Sequence, residues 1–290
     1  VSCSVITNSN AEAFALALAS LPMLEKLSFE TDCLFNDEFV EQIYSAVGKL
    51  KYLRKLHLHN SNTTNREAEA FAKEIPSLEL LEELAFYRYD QSIDSEHVKM
   101  VFVAISKLSY LRQLNFDCAK MSYGDLKALD EMLPSLPMLT GLTLFNIYFK
   151  NKSQRKGPFI SFGKVRHLTK LFFSWKRITQ SNVDALVEGL TSLQMLEELR
   201  LVVSCCKHNC DDNCDDECDH NCEDECNHNC DDECDDDCDH DCYDEGCHIC
   251  RHNEHERGKN YVQTKVLAAV KELKNFKKFT LHCDLFEIDE

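Results

Sequence analysis

The 290-residue chain is 44% apolar and carries a formal charge of −18, a length that accommodates one or two globular domains. The charge is concentrated: residues 211–245 hold nineteen Asp and Glu and no Lys or Arg, and removing those nineteen charges from −18 leaves +1. A neutral body offers no basic footprint for nucleic acid, an acidic segment is repelled by phosphates and anionic lipid, and no apolar run approaches the roughly 18 residues of a membrane span.

The chain opens on VSCSVITNSN, with neither a Met nor a charged-then-apolar leader pattern. This reads as the start of a processed or partial product. From there the sequence is self-similar. LPMLEKLSF begins at Leu21, LKYLRKLHL at Leu50, LELLEELAF at Leu78, LSYLRQLNF at Leu108 and LPMLTGLTL at Leu136. VRHLTKLFF follows at Val165, LQMLEELRL at Leu193 and LKNFKKFTL at Leu273. The first seven copies start 28 to 30 residues apart and the last follows after 80. All thirty-two positions of an L-x-x-L-x-x-L-x-L template are apolar across these eight copies.

A helical pattern precedes each copy except the sixth. Apolar residues lie seven and three positions ahead of the first Leu: Phe14 and Leu18, Ile43 and Val47, Phe71 and Ile75, Val101 and Ile105. Leu129 and Leu133, Leu186 and Leu190, and Val266 and Val270 continue the series, which is one face of a helix. Pro158 interrupts it before the sixth copy and predicts a short or irregular helix there. The alternating L-x-L ending predicts a half-buried strand. Each unit is thus helix, turn and strand, and side-by-side stacking buries the apolar faces as one core.

These repeats resemble leucine-rich-repeat proteins, specifically the ribonuclease-inhibitor-like subtype with long, helix-containing repeats. The likeness covers nearly all of 11–204 and 259–283. It implies an α/β horseshoe, a solenoid of eight helix–strand repeats with a parallel concave sheet that binds protein. One departure stands out. The family has Asn or Cys three residues after the last strand Leu, whereas this chain has Asp32, Ser61, Tyr89, Ala119, Ile147, Lys176, Ser204 and Asp284. Less regular turns are expected as a result.

Outward-facing strand positions form two columns. The central one is Ser28, His57, Ala85, Asn115, Thr143, Phe172, Arg200 and Thr280. The next is Glu30, His59, Tyr87, Asp117, Phe145, Ser174, Val202 and His282. Neither repeats a charge, so no groove for a polyanion emerges. The candidate protein-binding face is His57, His59, Tyr87, Phe145, Phe172, Arg200 and Val202, with aromatic residues as anchors. The expected partner is an unidentified protein on the concave face, within a larger assembly, with no nucleic acid and no membrane. His57 and His59 could form a metal pair, but ordinary polar residues on a solvent-facing strand are the plainer account. No G-x-S-x-G, phosphate loop or H-E-x-x-H occurs, so nothing argues for an enzyme.

Residues 205–258 interrupt the pattern between the seventh repeat (repeats one to seven span 1–204) and the last (259–290). They would extend a strand-to-helix loop, where insertions are tolerated. Cys210, Cys214, Cys218, Cys222, Cys226, Cys230, Cys234, Cys238 and Cys242 recur every fourth residue with acid between them. Cys247, Cys250, His252 and His255 then give a C-x-x-C followed by two histidines, a spacing able to close a tetrahedral site. Thiolates and imidazoles suit zinc and other soft metals, and carboxylates raise the local cation concentration. The composition equally fits a disordered, metal-free acidic arm, or a storage or detoxification device for metal. Disulfides in a secreted protein are a further reading. Against it, only Cys3, Cys33, Cys118 and Cys283 lie outside this segment, which points to a reducing, cytoplasmic location.

Because the ligands must lose protons to bind metal, zinc uptake by the full chain should fall as pH drops below about 6. Native mass spectrometry checks this. Many ions per chain would indicate storage, one to three a structural site, and none at any pH would leave the acidic-arm reading.

Overall fold

The computed structural model describes residues 2–31, 36–60, 64–88, 94–117, 123–148, 163–176, 180–204 and 261–283. The fold belongs to one unit, residues 1–205 and 262–290, and residues 206–261 fall to a second. Strand β1 (Ser2–Ile6) is followed by helix α1 (Ala11–Ala19), β2 (Lys26–Thr31), α2 (Asp37–Gly48), β3 (Lys55–Asn60) and α3 (Asn65–Glu74). Next come β4 (Glu83–Arg88), α4 (Ser95–Ile105), β5 (Gln113–Asp117), α5 (Tyr123–Met132), β6 (Gly141–Tyr148) and β7 (Lys170–Lys176). Helix α6 (Gln180–Thr191), β8 (Glu198–Ser204), a helix α7 over 261–270 and β9 (Lys278–Cys283) complete the series. All nine strands lie in one sheet in chain order, each parallel to the next. This is an α/β leucine-rich-repeat solenoid.

The template residues build each turn in two steps. The amide of the first Leu donates to the carbonyl three residues earlier at the helix end, as Leu50 does to Val47 (3.0 Å) and Leu108 to Ile105 (2.9 Å). The amide of the second Leu then donates to the carbonyl of the first, as Leu53 does to Leu50 (2.9 Å) and Leu196 to Leu193 (2.9 Å). At the next residue the repeats lock together. The Glu25 carbonyl accepts from the amides of both Arg54 (2.8 Å) and Lys55 (3.0 Å). The same two-to-one bond recurs at the carbonyls of Arg54, Glu82, Arg112, Thr140, Thr169 and Glu197, where Lys277 and Lys278 donate. Register is therefore uniform from β2 to β9, apart from an irregularity between Leu144 and Ile147 where β6 meets β7.

At the other end of the strands, three of the positions that lack Asn or Cys are described. At Ile147, Lys176 and Ser204 the strand runs straight through that position, so β6, β7 and β8 are 8, 7 and 7 residues long. The corresponding Asp32, Ser61, Tyr89, Ala119 and Asp284 lie outside the described residues, as does Pro158.

Every template position of the second to seventh copies is buried, and so is every helix-face position except Phe14. Aromatic rings tie successive repeats into one core: Tyr44 meets Phe71 edge-on, Phe71 meets Phe86, and Phe86 stacks on Phe116 at 5.4 Å. Among the described residues, Asn36, Thr64 and Asp94 are side-chain N-caps, accepting from the amides of Glu38, Glu67 and His97. Glu67 is itself buried and accepts a hydrogen bond from the Tyr44 hydroxyl (3.0 Å). The outer copies are less enclosed. Leu21 is 40% exposed, and Phe276, Phe279 and Leu281 are only half-buried. Strand β1 covers β2 as a ninth strand that the template did not predict, because VSCSVI carries no L-x-x-L turn ahead of it.

A truncation in the middle of the stack removes contacts on all sides, whereas one at its edge does not. Leu111→Ala should cost about 2–5 kcal/mol of stability and Leu21→Ala less than about half of that, as read by urea unfolding. Equal costs would contradict the graded enclosure.

Candidate protein-binding face

The buried leucines and phenylalanines of each strand point to the helices, which leaves the alternate positions on the opposite face. The central column predicted from sequence is continuous in register. Ser28 pairs with His57, His57 with Ala85, Ala85 with Asn115, Asn115 with Thr143, Thr143 with Phe172, Phe172 with Arg200 and Arg200 with Thr280. Parallel neighbours lie about 4.8 Å apart, so each column is a row of side chains in mutual reach. In the second column Glu30 pairs with His59, His59 with Tyr87, Asp117 with Phe145, Ser174 with Val202 and Val202 with His282. The side chain of Tyr87 lies outside the described set.

Four of the predicted residues come together on β6–β8. The rings of Phe145 and Phe172 meet edge to face, with centroids 4.8 Å apart and planes at 84°. On the other side of Phe172, the Arg200 guanidinium stands over the ring at 4.7 Å. Val202 lies in the next column of Arg200's own strand. Phe145, Phe172 and Val202 are half-buried and Arg200 is exposed. The cluster is thus an apolar platform, held by ring–ring and cation–π contacts, with a cation at its edge. It sits on the three longest strands of the sheet.

His57 and His59 form a separate polar group on β3. The His57 Nε2 lies 2.9 Å from Glu83 Oε1, and Lys55 donates to the other Glu83 oxygen. Burial raises the Glu83 carboxyl, but the hydrogen bonds from Lys55 and His57 outweigh it and hold the group below the usual carboxylate range. Burial pushes the His59 imidazole below 6.5, against the pull of Glu30, with His57 adding to the depression. Sequence reasoning missed Glu83 as the residue that anchors this group, although the template places it beside Lys55, two residues before the His57 position. Ala85, read as outward, is fully buried between its neighbours and separates the two clusters.

Among the described residues no group of three or more His, Cys, Asp or Glu is arranged to hold a metal. The sequence-predicted metal ligands, from Cys210 to His255, lie outside the described residues. No described helix is long and apolar enough to cross a membrane.

No protein-family model matches the chain, and no curated protein matches it in sequence. Among solved structures it is similar to leiomodin-1 actin-binding site 2, at 10% identity over 61% of this chain and 88% of that one, with a TM-score of 0.36. It is similar to an internalin C2 from Listeria monocytogenes at 14% identity over 70% and 91%, TM-score 0.36. TLR13 in its complex with ssRNA13 gives 17% identity over 69% and 31%, TM-score 0.35. The fold assignment rests on the strand order and register above and takes nothing from these likenesses.

Two histidines with opposite surroundings make the electrostatics testable. On α4 the side-chain hydrogen bond to Asp94 (Nδ1 to Oδ1, 2.6 Å) raises His97 above 6.5, against a smaller effect of burial, and Glu69 assists at 3.5 Å. Histidine C2-proton titration should place His97 above and His59 below the ordinary value of 6.5. The raised group contributes its stabilisation in full below 6.5 and loses it as pH rises through its folded midpoint. The depressed group, neutral at pH 7, contributes above 6.5 and loses it as pH falls through its own midpoint. The reverse order of midpoints would overturn the account.

Proposed function

We propose that this protein is a non-enzymatic scaffold for protein–protein interaction, using the sheet face around β6–β8 to hold its partner. The observation that carries this reading is the Phe145–Phe172–Arg200 cluster. Two aromatic rings and an arginine, half-buried and presented on a rigid sheet, are the side chains that dominate binding energy when a partner covers them. Repeats of 28 to 30 residues, with a helix described ahead of every copy but the sixth, support the ribonuclease-inhibitor-like subtype of the fold. The Cys- and His-rich segment 205–258 is proposed to bind zinc or another soft metal. Its support is the four-residue cysteine spacing and the closing C-x-x-C with two histidines. A cytoplasmic location follows from the scarcity of cysteine elsewhere in the chain.

The test uses the full chain immobilised and exposed to an extract of its source cells. Proteins retained by the native chain should be lost by at least about tenfold with Phe172→Ser, and with Arg200→Glu. Both variants should keep the native urea-unfolding midpoint. Retention unchanged in the two variants would remove this face from the binding surface.

A further inference from the structure

A second surface runs along the rim where helices turn into strands. The third template position is apolar in six of the eight copies: Met23, Tyr52, Leu80, Tyr110, Met138 and Met195. It lies inside the turn between the two buried leucines, so its side chain faces away from the core. Met23 is 67% exposed, Tyr52 50%, Tyr110 53%, Met138 37% and Met195 47%, while Leu80 is half-buried. Uncovered Leu, Met and Tyr scattered singly need no explanation, but these are not scattered. The carbonyl bonds joining each turn to the next hold them in one row, five successive repeats long from Met23 to Met138.

The flank of this row is basic. Just ahead of the row position stand Lys49, Lys51, Lys107, Lys164, Arg166, Lys271 and Lys274, against Glu79 and Glu272 only, and of these Lys49, Lys51, Lys107 and Glu79 flank the stretch from Met23 to Met138. All nine are exposed. Outside the acidic segment the chain is close to neutral, so seven cations to two anions is a local bias. Helix C-termini open on this rim and favour cations there; Lys51, for example, donates to the Gly48 and Ser77 carbonyls (3.0 and 3.1 Å). That accounts for part of the charge and for none of the apolar row. On the sheet side of the row, Arg54 is paired with Glu82 and Lys277 with Glu197, so that flank adds no net field.

We propose that this rim is a docking surface for an acidic amphipathic helix of a partner protein. Charge complementarity selects the acidic flank, and spacing selects the helix. The row advances about 4.8 Å per repeat, close to the roughly 5.4 Å between successive turns of a helix. One apolar side chain per helical turn therefore meets one per repeat over Met23–Met138. An extended strand presents same-face residues about 6.6 Å apart and falls out of step within three repeats. The surface is distinct from the Phe172 platform, and either can bind without the other.

The probe is a fluorescein-labelled peptide of about 18 residues with Leu at alternating spacings of three and four and Glu on both flanks. Fluorescence anisotropy against the full chain should show saturable binding. A peptide with Lys in place of Glu should bind at least about tenfold more weakly, as should a scrambled peptide of the same composition. Tyr52→Ser with Tyr110→Ser and Met138→Ser should weaken binding at least about tenfold, with the urea-unfolding midpoint unchanged. Lys49→Glu with Lys107→Glu should do the same, and Phe172→Ser should have no effect. The proposal is overturned if the acidic peptide does not bind, if the scrambled peptide binds equally, or if neither rim variant alters binding. It is also overturned if vesicles of phosphatidylserine and phosphatidylcholine displace the peptide, since the rim would then be a lipid-facing surface.

Discussion

Everything in this fold hangs on the bond that each repeat's turn makes to the next, a single backbone carbonyl accepting two successive amides. It is made by main-chain atoms, so it is indifferent to the side chain at Glu25, Arg54, Thr140 or Glu197. What it requires is that the preceding turn present its backbone at a fixed height and angle. Two buried leucines three residues apart achieve that by closing the turn over the core. Removing either apolar side chain therefore costs more than its own burial, because the turn that positions the inter-repeat bond is built on it.

Uniform register follows, and with it the chemistry of the sheet face. A slip of one residue would exchange every buried Leu for an exposed polar position, so the columns are as firmly placed as the core. That is why Phe172 finds Thr143 on one side and Arg200 on the other without any special local structure. The irregularity between Leu144 and Ile147 interrupts pairing just beyond Leu144, where Phe145 reaches diagonally to Phe172. The longest strands, the bulge and the aromatic cluster coincide. The long ends of β6–β8 leave the platform on extended strand.

Much of this was legible in the sequence because the period is strict and the apolar template tolerates no exceptions. Helix faces, strand columns and the order of the sheet all follow from positions such as Val47, Leu50, Leu53 and Leu56. What escaped was set by neighbours outside one repeat. Strand β1 has no template of its own and exists because β2 offers an open edge. Leu21 satisfies the pattern yet stays partly exposed, since the turn of a preceding repeat is not there to cover it. Ala85 has the parity of an outward residue but is too small to rise above His57 and Asn115. The short 3-10 turns Ile75–Ser77 and Leu133–Ser135 are signalled by Pro76 and Pro134, yet a period count passes over them. The metal reading of 205–258 depends on composition and cysteine spacing.

In-register stacking also imposes a constraint on the charges. Each template position becomes a row spaced about 4.8 Å, so identical repeats would stack identical charges and repel. The sequence relieves this in part by changing sign along two of the rows, although Lys26 still stands beside Lys55. Glu25, Arg54, Glu82 and Arg112 alternate at one position, and Lys55 meets Glu83 and Glu198 meets Lys278 at the next. Such exposed pairs are worth at most about 1 kcal/mol each, too little to hold the stack together. Their effect is selective: repeats joined out of order would set like charges side by side. Divergence among the repeats is therefore favoured in such rows. Apolar rows carry no such penalty and can keep one chemistry from repeat to repeat. The core leucines do so because they are buried. The row from Met23 to Met138 does so while exposed, which neither packing nor charge alternation requires.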